Sequence, residues 1–589
     1  MNRLRWVGIL CLCLCLCRCV LAQDRVVRLK LIETSDVHGN FYPYDFIRQE
    51  PAAGSLARVQ TFVRQEREKY GENVILLDNG DILQGQPSAY YYNYIDTVSP
   101  HLTAEMLNFM GYDAGNMGNH DIETGRRVFD RWMEDCRFPV LGANIVETGT
   151  GRTHCPPYVV LERDGVKVVV LGMVTPAIPV WLSENLWPGL RFEDMEKAAR
   201  EWMPVIRERE QPDVVVGLFH AGRKAVTMGG RYRDNASIEV VQRVPGFDVA
   251  LIGHDHARAC FKVAGAEGDS VLVVNPANGA MMVGDVELTL TLNGDGEVVA
   301  KQVKGKLSRV DALEPDAEFM ARFAGQYDSV RAFVSKRIGR LTQTISTRPA
   351  YFGPSAFVDL IHRLQLEIGK AEISLAAPLS FDARIEAGDV FVSDMFSLYK
   401  YENMLYTMSL TGGEVRRALE MSYALWTNRM QSADDHLLLL REAKGREEAG
   451  GAEERAFFRN PSFNFDSAAG IIYTVDVTQP EGQKVRIISM ADGTPFDEEK
   501  RYRVAVNSYR GNGGGELLTR GAGIPQEELK ERILFSTDKD LRYYLMRYIE
   551  RQGVVEPRSL EQWRFLPEAW TRQAAERDYF LLFGTEMPH

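Results

Sequence analysis

The chain has 589 residues, 45% of them hydrophobic and 25% charged, with a formal net charge of −12 at pH 7. Such a length exceeds the roughly 250–300 residues at which a single core stops growing, so at least two domains are expected. A chain this acidic is a poor candidate for duplex nucleic acid, where basic surface supplies most of the affinity.

Residues 2–22 read as a secretory leader. Arg3 and Arg5 form its charged start, residues 6–17 its apolar stretch, and Val20-Leu21-Ala22 the cleavage site before Gln23. The apolar run is too short to span a membrane, which predicts a secreted, periplasmic protein with no transmembrane segment. Lipid anchoring is the lesser reading, because no leader cysteine follows the small residue that a bacterial lipobox needs. Cys11, Cys13, Cys15, Cys17 and Cys19 leave with the leader, so only Cys136, Cys155 and Cys260 remain. The mature chain is no disulfide scaffold; one Cys136 to Cys155 bridge and three free thiols are the two readings.

From residue 26 to about 310, β-branched runs at 26–32, 74–77, 166–174, 214–219 and 249–252 read as buried strands. Helical patterns lie between them, as at 54–70 and 104–110. This alternation predicts an α/β layered domain over residues 23–315, with functional loops at the carboxyl ends of the strands. Residues 316–336 place Phe319, Phe323, Tyr327, Val330 and Val334 on one helical face, and the stretch 316–338 is the expected interdomain connector. A second α/β pattern fills residues 339–589. Its one interruption, residues 441–455, is rich in Glu, Lys, Arg and Gly without an apolar period and reads as an exposed mobile loop.

Five of the ten histidines sit in short motifs, each after an apolar run. In order these are Asp36-Val37-His38-Gly39, Gly80-Asp81, Gly118-Asn119-His120-Asp121, His220, and Gly253-His254-Asp255-His256. Taken singly, each has a bland reading as a turn or a satisfied buried imidazole. Together, in one order and each after a strand, they supply carboxylate, imidazole and amide oxygen donors for two cations. A cation pair about 3.5–4 Å apart can activate a water and clamp a phosphate ester. Donors without thiolate suit manganese, zinc, cobalt, iron or magnesium.

With these motifs the sequence resembles the calcineurin-like metallophosphoesterases, and within them the secreted 5'-nucleotidase family. The resemblance implies a four-layer αββα metallophosphoesterase domain followed by an α/β 5'-nucleotidase-type C-terminal domain. It places Asp36, His38, Asp81 and His256 on one metal and Asp81, Asn119, His220 and His254 on the other, with Asp81 bridging. His120 matches the catalytic histidine, and Glu123 stands where the family carries an aspartate partner. Beyond residue 340 the resemblance rests on Glu386-Ala387-Gly388-Asp389-Val390, Tyr399-Lys400-Tyr401-Glu402-Asn403, Phe463-Asn464-Phe465-Asp466-Ser467 and Ser508-Tyr509-Arg510 before a glycine run. It implies that Tyr401 and Tyr509 stack on a nucleobase and that Arg384 contacts phosphate or ribose.

The Asn-Gly-Gly-Ile-Arg element of 5'-nucleotidases is replaced by Leu375-Ala376-Ala377-Pro378-Leu379-Ser380-Phe381-Asp382. That form looks more like the bifunctional 2',3'-cyclic-nucleotide 2'-phosphodiesterase/3'-nucleotidases, which implies a nucleotide substrate opened at the cyclic ester and then dephosphorylated. A 5'-nucleotidase or nucleotide-sugar hydrolase on the same scaffold is the alternative, and a catalytically inactive nucleotide-binding protein the alternative of another class.

Overall fold

The structure, a computed structural model, describes residues 24–442 and 456–587. The leader assigned to residues 2–22 lies outside them. Of the interruption at 441–455, only Arg441 and Glu442 are described; they end the strand Leu440–Glu442, which pairs with Ala456–Phe458. Among the described residues no helix is long and apolar enough to cross a membrane. Cys136, Cys155 and Cys260 are free thiols.

Two six-stranded sheets stack in the first domain. One runs Val298–Arg309, Met282–Leu292, Arg25–Thr34, Val74–Asp78, Ala114–Asn116, Val140–Leu141, and the other Ala259–Ala264, Ser270–Asn275, Val249–Ile252, Val214–His220, Val166–Val174, Tyr158–Arg163. The central neighbours are parallel in both. Successive side chains on a strand point to opposite faces, so a continuous apolar run feeds two cores. Val27, Leu29, Leu31, Ile75 and Leu77 meet Val168, Val170, Val214, Val216 and Leu251 between the sheets. The alternate residues Val169, Leu171, Val215 and Ile252 pack under the helices Met195–Glu210 and Ser237–Arg243. On the other flank, Ile32, Val74 and Leu76 pack under Leu56–Tyr70 and Leu102–Met110. The order helix, sheet, sheet, helix is the four-layer αββα architecture.

The second domain is an α/β unit built on a five-stranded sheet, in the order Ser467–Ala469, Ile373–Ala376, Arg501–Asn507, Met404–Thr411, Ile533–Asp540. Helix Ala356–Gly369 covers one face through Phe357, Leu360 and Leu364, and Gly412–Trp426 covers the other through Val415, Ala418 and Leu419.

Residues 316–336 form two helices, Ala317–Arg322 and Ala324–Val334, where the pattern suggested one. The break is at Phe323, whose φ of −103° and ψ of 18° leave the helical region. Both helices still bury Phe319, Phe323, Val330 and Val334 in the first domain's core. The domains then meet through Tyr90, whose ring enters a core cluster of the second domain beside Phe396. Arg542 lies over both rings, 5.1 Å from that of Tyr90 and 4.1 Å from that of Phe396, and pairs with the buried Glu402 at 3.1 Å.

Candidate active site

The five motifs follow strands Arg25–Thr34, Val74–Asp78, Ala114–Asn116, Val214–His220 and Val249–Ile252, so parallel pairing carries them to one edge of the sandwich. Main-chain bonds then join the loops: Asp36 N to Gly80 O at 3.0 Å and His38 N to Asp81 O at 2.9 Å. Asp36, His38, Asp81, His254 and His256 all have φ between 49° and 70°. Non-glycine residues seldom adopt that region, and strained backbone concentrates at functional sites at a cost on the order of 1–3 kcal/mol per residue. Gly118 has its own reason, since a Cβ there would lie 2.2 Å from Asp81 Oδ1.

Two donor groups result, Asp36 with His38 and His256, and Asp81 with His220 and His254; within each, the ligand-capable atoms lie within 4.8 Å of one another. His38 Nε2 and His256 Nε2 are 3.0 Å apart, and Asp36 Oδ1 is 3.3 Å from the latter. His220 Nε2 is 3.1 Å from Asp81 Oδ2 and 3.2 Å from Asn119 Oδ1. Ring nitrogens aimed at each other and at carboxylates make a donor set that fits divalent cations, with no thiolate to close it.

Sequence reasoning missed the groups that hold these donors. Gln84 Oε1 takes His38 Nδ1 at 3.1 Å and the Asn79 carbonyl takes His220 Nδ1 at 2.7 Å, which leaves Nε2 of each ring free to ligate. Asp121, quoted in its motif but given no role, accepts the main-chain N–H groups of Asp81, Ile82, Leu83 and Gly118 at 2.8–2.9 Å and so freezes the Asp81 loop. Asn79 and Asn116 form a polar floor, each donating to main-chain carbonyls of the second sheet.

Burial alone would raise Asp36 and Asp81, but imidazoles override it: His256 and His220 lower Asp36, and His220 and His120 hold Asp81 well below the usual range. Both are therefore ionised at neutral pH, the state in which a carboxylate can hold a divalent cation. Burial, with His120 and His256 alongside, drops His38 to about 4, which keeps it a neutral imidazole, the form able to coordinate a cation.

His120 lies outside both groups, 25% exposed at its side chain, with its main-chain N bonded to Asp81 Oδ1 at 2.7 Å. Its Nδ1 is 2.5 Å from Glu123 Oε2. The longer glutamate thus reaches the ring across one helical turn. Burial opposes a charge on His120, yet Asp81 and Glu123 outweigh it and raise the ring to about 9.

A cavity of about 520 Å³ opens from these donors toward the second domain, lined by Asn119, His120 and His254 on one side and by Tyr401, Phe463 and Tyr509 on the other. Tyr401 and Tyr509 each meet Phe463 edge to face, at 6.3 and 6.2 Å between ring centroids. Phe463 was not singled out in the sequence, although its Phe-Asn-Phe-Asp segment was. Arg384 does not join them. It is exposed on the two-residue strand Arg384–Ile385, ion-paired with Glu386, and away from the cavity lining.

Arg510 does the structural work nearby: fully buried, it grips both oxygens of Asp466 at 2.8–2.9 Å and donates to the Phe463 carbonyl at 3.2 Å. Gly514 lets the Tyr509 ring lie against the main chain, since a Cβ would come within 2.5 Å of it. Arg510→Met would strand Asp466 as a buried charge and is expected to cost about 3–5 kcal/mol in chemical denaturation, with KM rising as Phe463 and Tyr509 lose their anchor.

Residues 29–258 match the calcineurin-like phosphoesterase family, and residues 337–520 match the family described as 5'-nucleotidase, C-terminal domain. The chain is 28% identical to the trifunctional nucleotide phosphoesterase protein YfkN of Bacillus subtilis over 93% of its own length, and spans 40% of that protein. It is 25% identical to the 2',3'-cyclic-nucleotide 2'-phosphodiesterase/3'-nucleotidase of Yersinia enterocolitica, covering 92% of this chain and 89% of the relative. A solved 5'-nucleotidase precursor from Thermus thermophilus shares the fold with a TM-score of 0.61 at 22% identity, over 92% of this chain and all of that one.

Proposed function

We propose, for a chain that belongs to the 5'-nucleotidase family of calcineurin-like metallophosphoesterases, that it opens 2',3'-cyclic nucleotides to 3'-nucleotides and then releases nucleoside and phosphate. The enzyme is a metal-dependent phosphoric ester hydrolase whose cofactors are two divalent metal ions. The observation that carries the nucleotide reading is one cavity lined at one end by His254 of the second donor group, with Asn119 and His120, and at the other by the three aromatic rings of Tyr401, Phe463 and Tyr509. Near end-to-end similarity to a relative named for the cyclic and 3' activities favours those over the 5' position.

The residues assigned to the cations are Asp36, His38, Asp81 and His256 for one and Asp81, Asn119, His220 and His254 for the other. When bound, the pair supplies an activated water and neutralises charge gathering on the phosphoryl oxygens. His120, oriented by Glu123, faces the same cavity and donates a hydrogen bond or proton to the phosphoryl group or the leaving oxygen. Tyr401 and Tyr509 hold the base. The chain acts outside the cytoplasm in this reading, on the strength of the leader pattern at residues 2–22.

Phosphate release from 2',3'-cyclic AMP, 3'-AMP and 5'-AMP tests the substrate assignment. The cyclic and 3' substrates are expected to turn over faster; a preference for 5'-AMP of tenfold or more would make the enzyme a 5'-nucleotidase and leave the metal chemistry intact. Replacing Tyr401 or Tyr509 with Ala removes stacking worth about 1–3 kcal/mol that is made equally in ground and transition states. KM for nucleotides is expected to rise with kcat little changed, while p-nitrophenyl phosphate, which has no base, is handled as before. An equal loss on both substrates would refute the clamp.

A further inference from the structure

The donors described above come from strand ends, but one buried carboxylate reaches them from elsewhere. After His220 the chain makes a two-stranded hairpin, Val226–Met228 against Tyr232–Asp234, whose outer strand lines the substrate cavity. Its last residue, Asp234, is 6% exposed. Asp234 Oδ1 accepts the Thr175 hydroxyl at 2.7 Å and lies 3.2 Å from His254 Nε2, and Oδ2 accepts from the Asn235 amide at 2.7 Å. Thr175 is itself fixed through its main-chain N to the His220 carbonyl at 2.9 Å. Asp234 forms no ion pair with a lysine or arginine among the described residues; His254 is the basic group it faces. On the other side of that imidazole lies Trp181, with ring centroids 5.5 Å apart and planes tilted by 35°.

We propose that Asp234 is the positioning carboxylate of His254, accepting its Nε2–H so that Nδ1 is the nitrogen presented to Asp81, Asn119 and His220. The inference rests on the two-metal reading and adds an inequality to it. His38 and His220 are oriented by neutral acceptors, the Gln84 amide and the Asn79 carbonyl. His254 has a carboxylate instead, and a carboxylate behind an imidazole makes it a stronger donor. The other group ends in His256, whose side chain is 42% exposed. The Asp81, Asn119, His220 and His254 position is therefore the tighter of the two, and it fills first.

Metal-stripped enzyme titrated with Mn²⁺ or Zn²⁺ against a chromophoric chelator tests this without any turnover. Wild type is expected to take two equivalents with distinct affinities. Asp234→Asn keeps the shape and removes the charge, and is expected to weaken the tighter equivalent roughly 10- to 100-fold while leaving the other unchanged and the metal-free melting temperature close to wild type. Thr175→Val, which removes the hydroxyl that orients Asp234, is expected to shift the same equivalent in the same direction by less; if the aspartate variant does not fold, this one is read by the same criterion. Two equivalents at wild-type affinity in the folded variants would overturn the role of Asp234 alone. Complete loss of one equivalent in folded Asp234→Asn would make Asp234 a ligand and overturn the positioning role. A wild type that takes fewer than two equivalents would overturn the two-metal reading, and this inference with it.

Discussion

Asp81→Asn is expected to lower phosphate release by several orders of magnitude, the largest loss from any single change in this chain. Asp81 lies at the middle of the constellation, 1% exposed, with Oδ2 3.1 Å from His220 Nε2 and Oδ1 accepting the main-chain N–H of His120. The substitution preserves size and the strained φ of 55° that the loop requires. What it removes is the charge that the proposed assignment shares between both cation positions, so both are expected to weaken together. His220 gives a second readout. Its ring is raised to about 10 because Asp81, against the opposing effect of burial, favours its charged form; without that carboxylate the ring's affinity for a proton falls. Metal content by elemental analysis, measured beside turnover, is the check. Near-normal phosphate release, or two retained metal equivalents at wild-type affinity, would remove Asp81 from the bridging position.

The sequence was most legible where a periodic apolar run ended in a polar motif. Run 249–252 coincides with strand Val249–Ile252, and run 214–219 extends by one residue to His220. A buried parallel strand must be apolar on both faces and must stop where its main chain leaves the sheet, so the first polar residue beyond it marks the functional edge. The supports of the site left no such trace. Gln84 meets His38 across 46 residues of chain and Asn79 meets His220 across 141; single polar residues in loops have no period, and only the folded sandwich brings them together. Asp234 was hidden in the same way inside a short hairpin. The break at Phe323 was invisible because the apolar spacing continues on both sides of it, so periodicity reports the buried face and says nothing of the kink. Arg384 shows the converse limit: a motif nearby in sequence placed it at the ligand, while the strand that carries it turns it outward to Glu386. Tyr90 stands in the run Tyr90-Tyr91-Tyr92, and nothing in that run marks it as an interface residue; only the second domain's presence makes it one.

His120→Ala is expected to lose roughly 10²- to 10⁴-fold in kcat while both metal equivalents remain bound, which separates a catalytic group from a ligand. The geometry sets this expectation, because the ring lies beside His38 with centroids 5.4 Å apart yet belongs to neither donor group. Its Nδ1 is committed to Glu123, leaving Nε2 as the atom that can meet a phosphoryl oxygen or the departing hydroxyl. Glu123→Gln isolates the partner's contribution. The amide keeps a hydrogen-bond acceptor near the ring and removes the negative charge that, with Asp81, holds the imidazole raised to about 9. A raised group keeps its proton as pH climbs toward its own pKa, so lowering that pKa brings the loss of the protonated form to lower pH. The alkaline limb of kcat against pH is therefore expected to move to lower pH in Glu123→Gln, with KM for p-nitrophenyl phosphate nearly constant. An unmoved limb together with wild-type kcat would show that Glu123 only fills space beside His120, and metal loss in His120→Ala would return that histidine to the ligands.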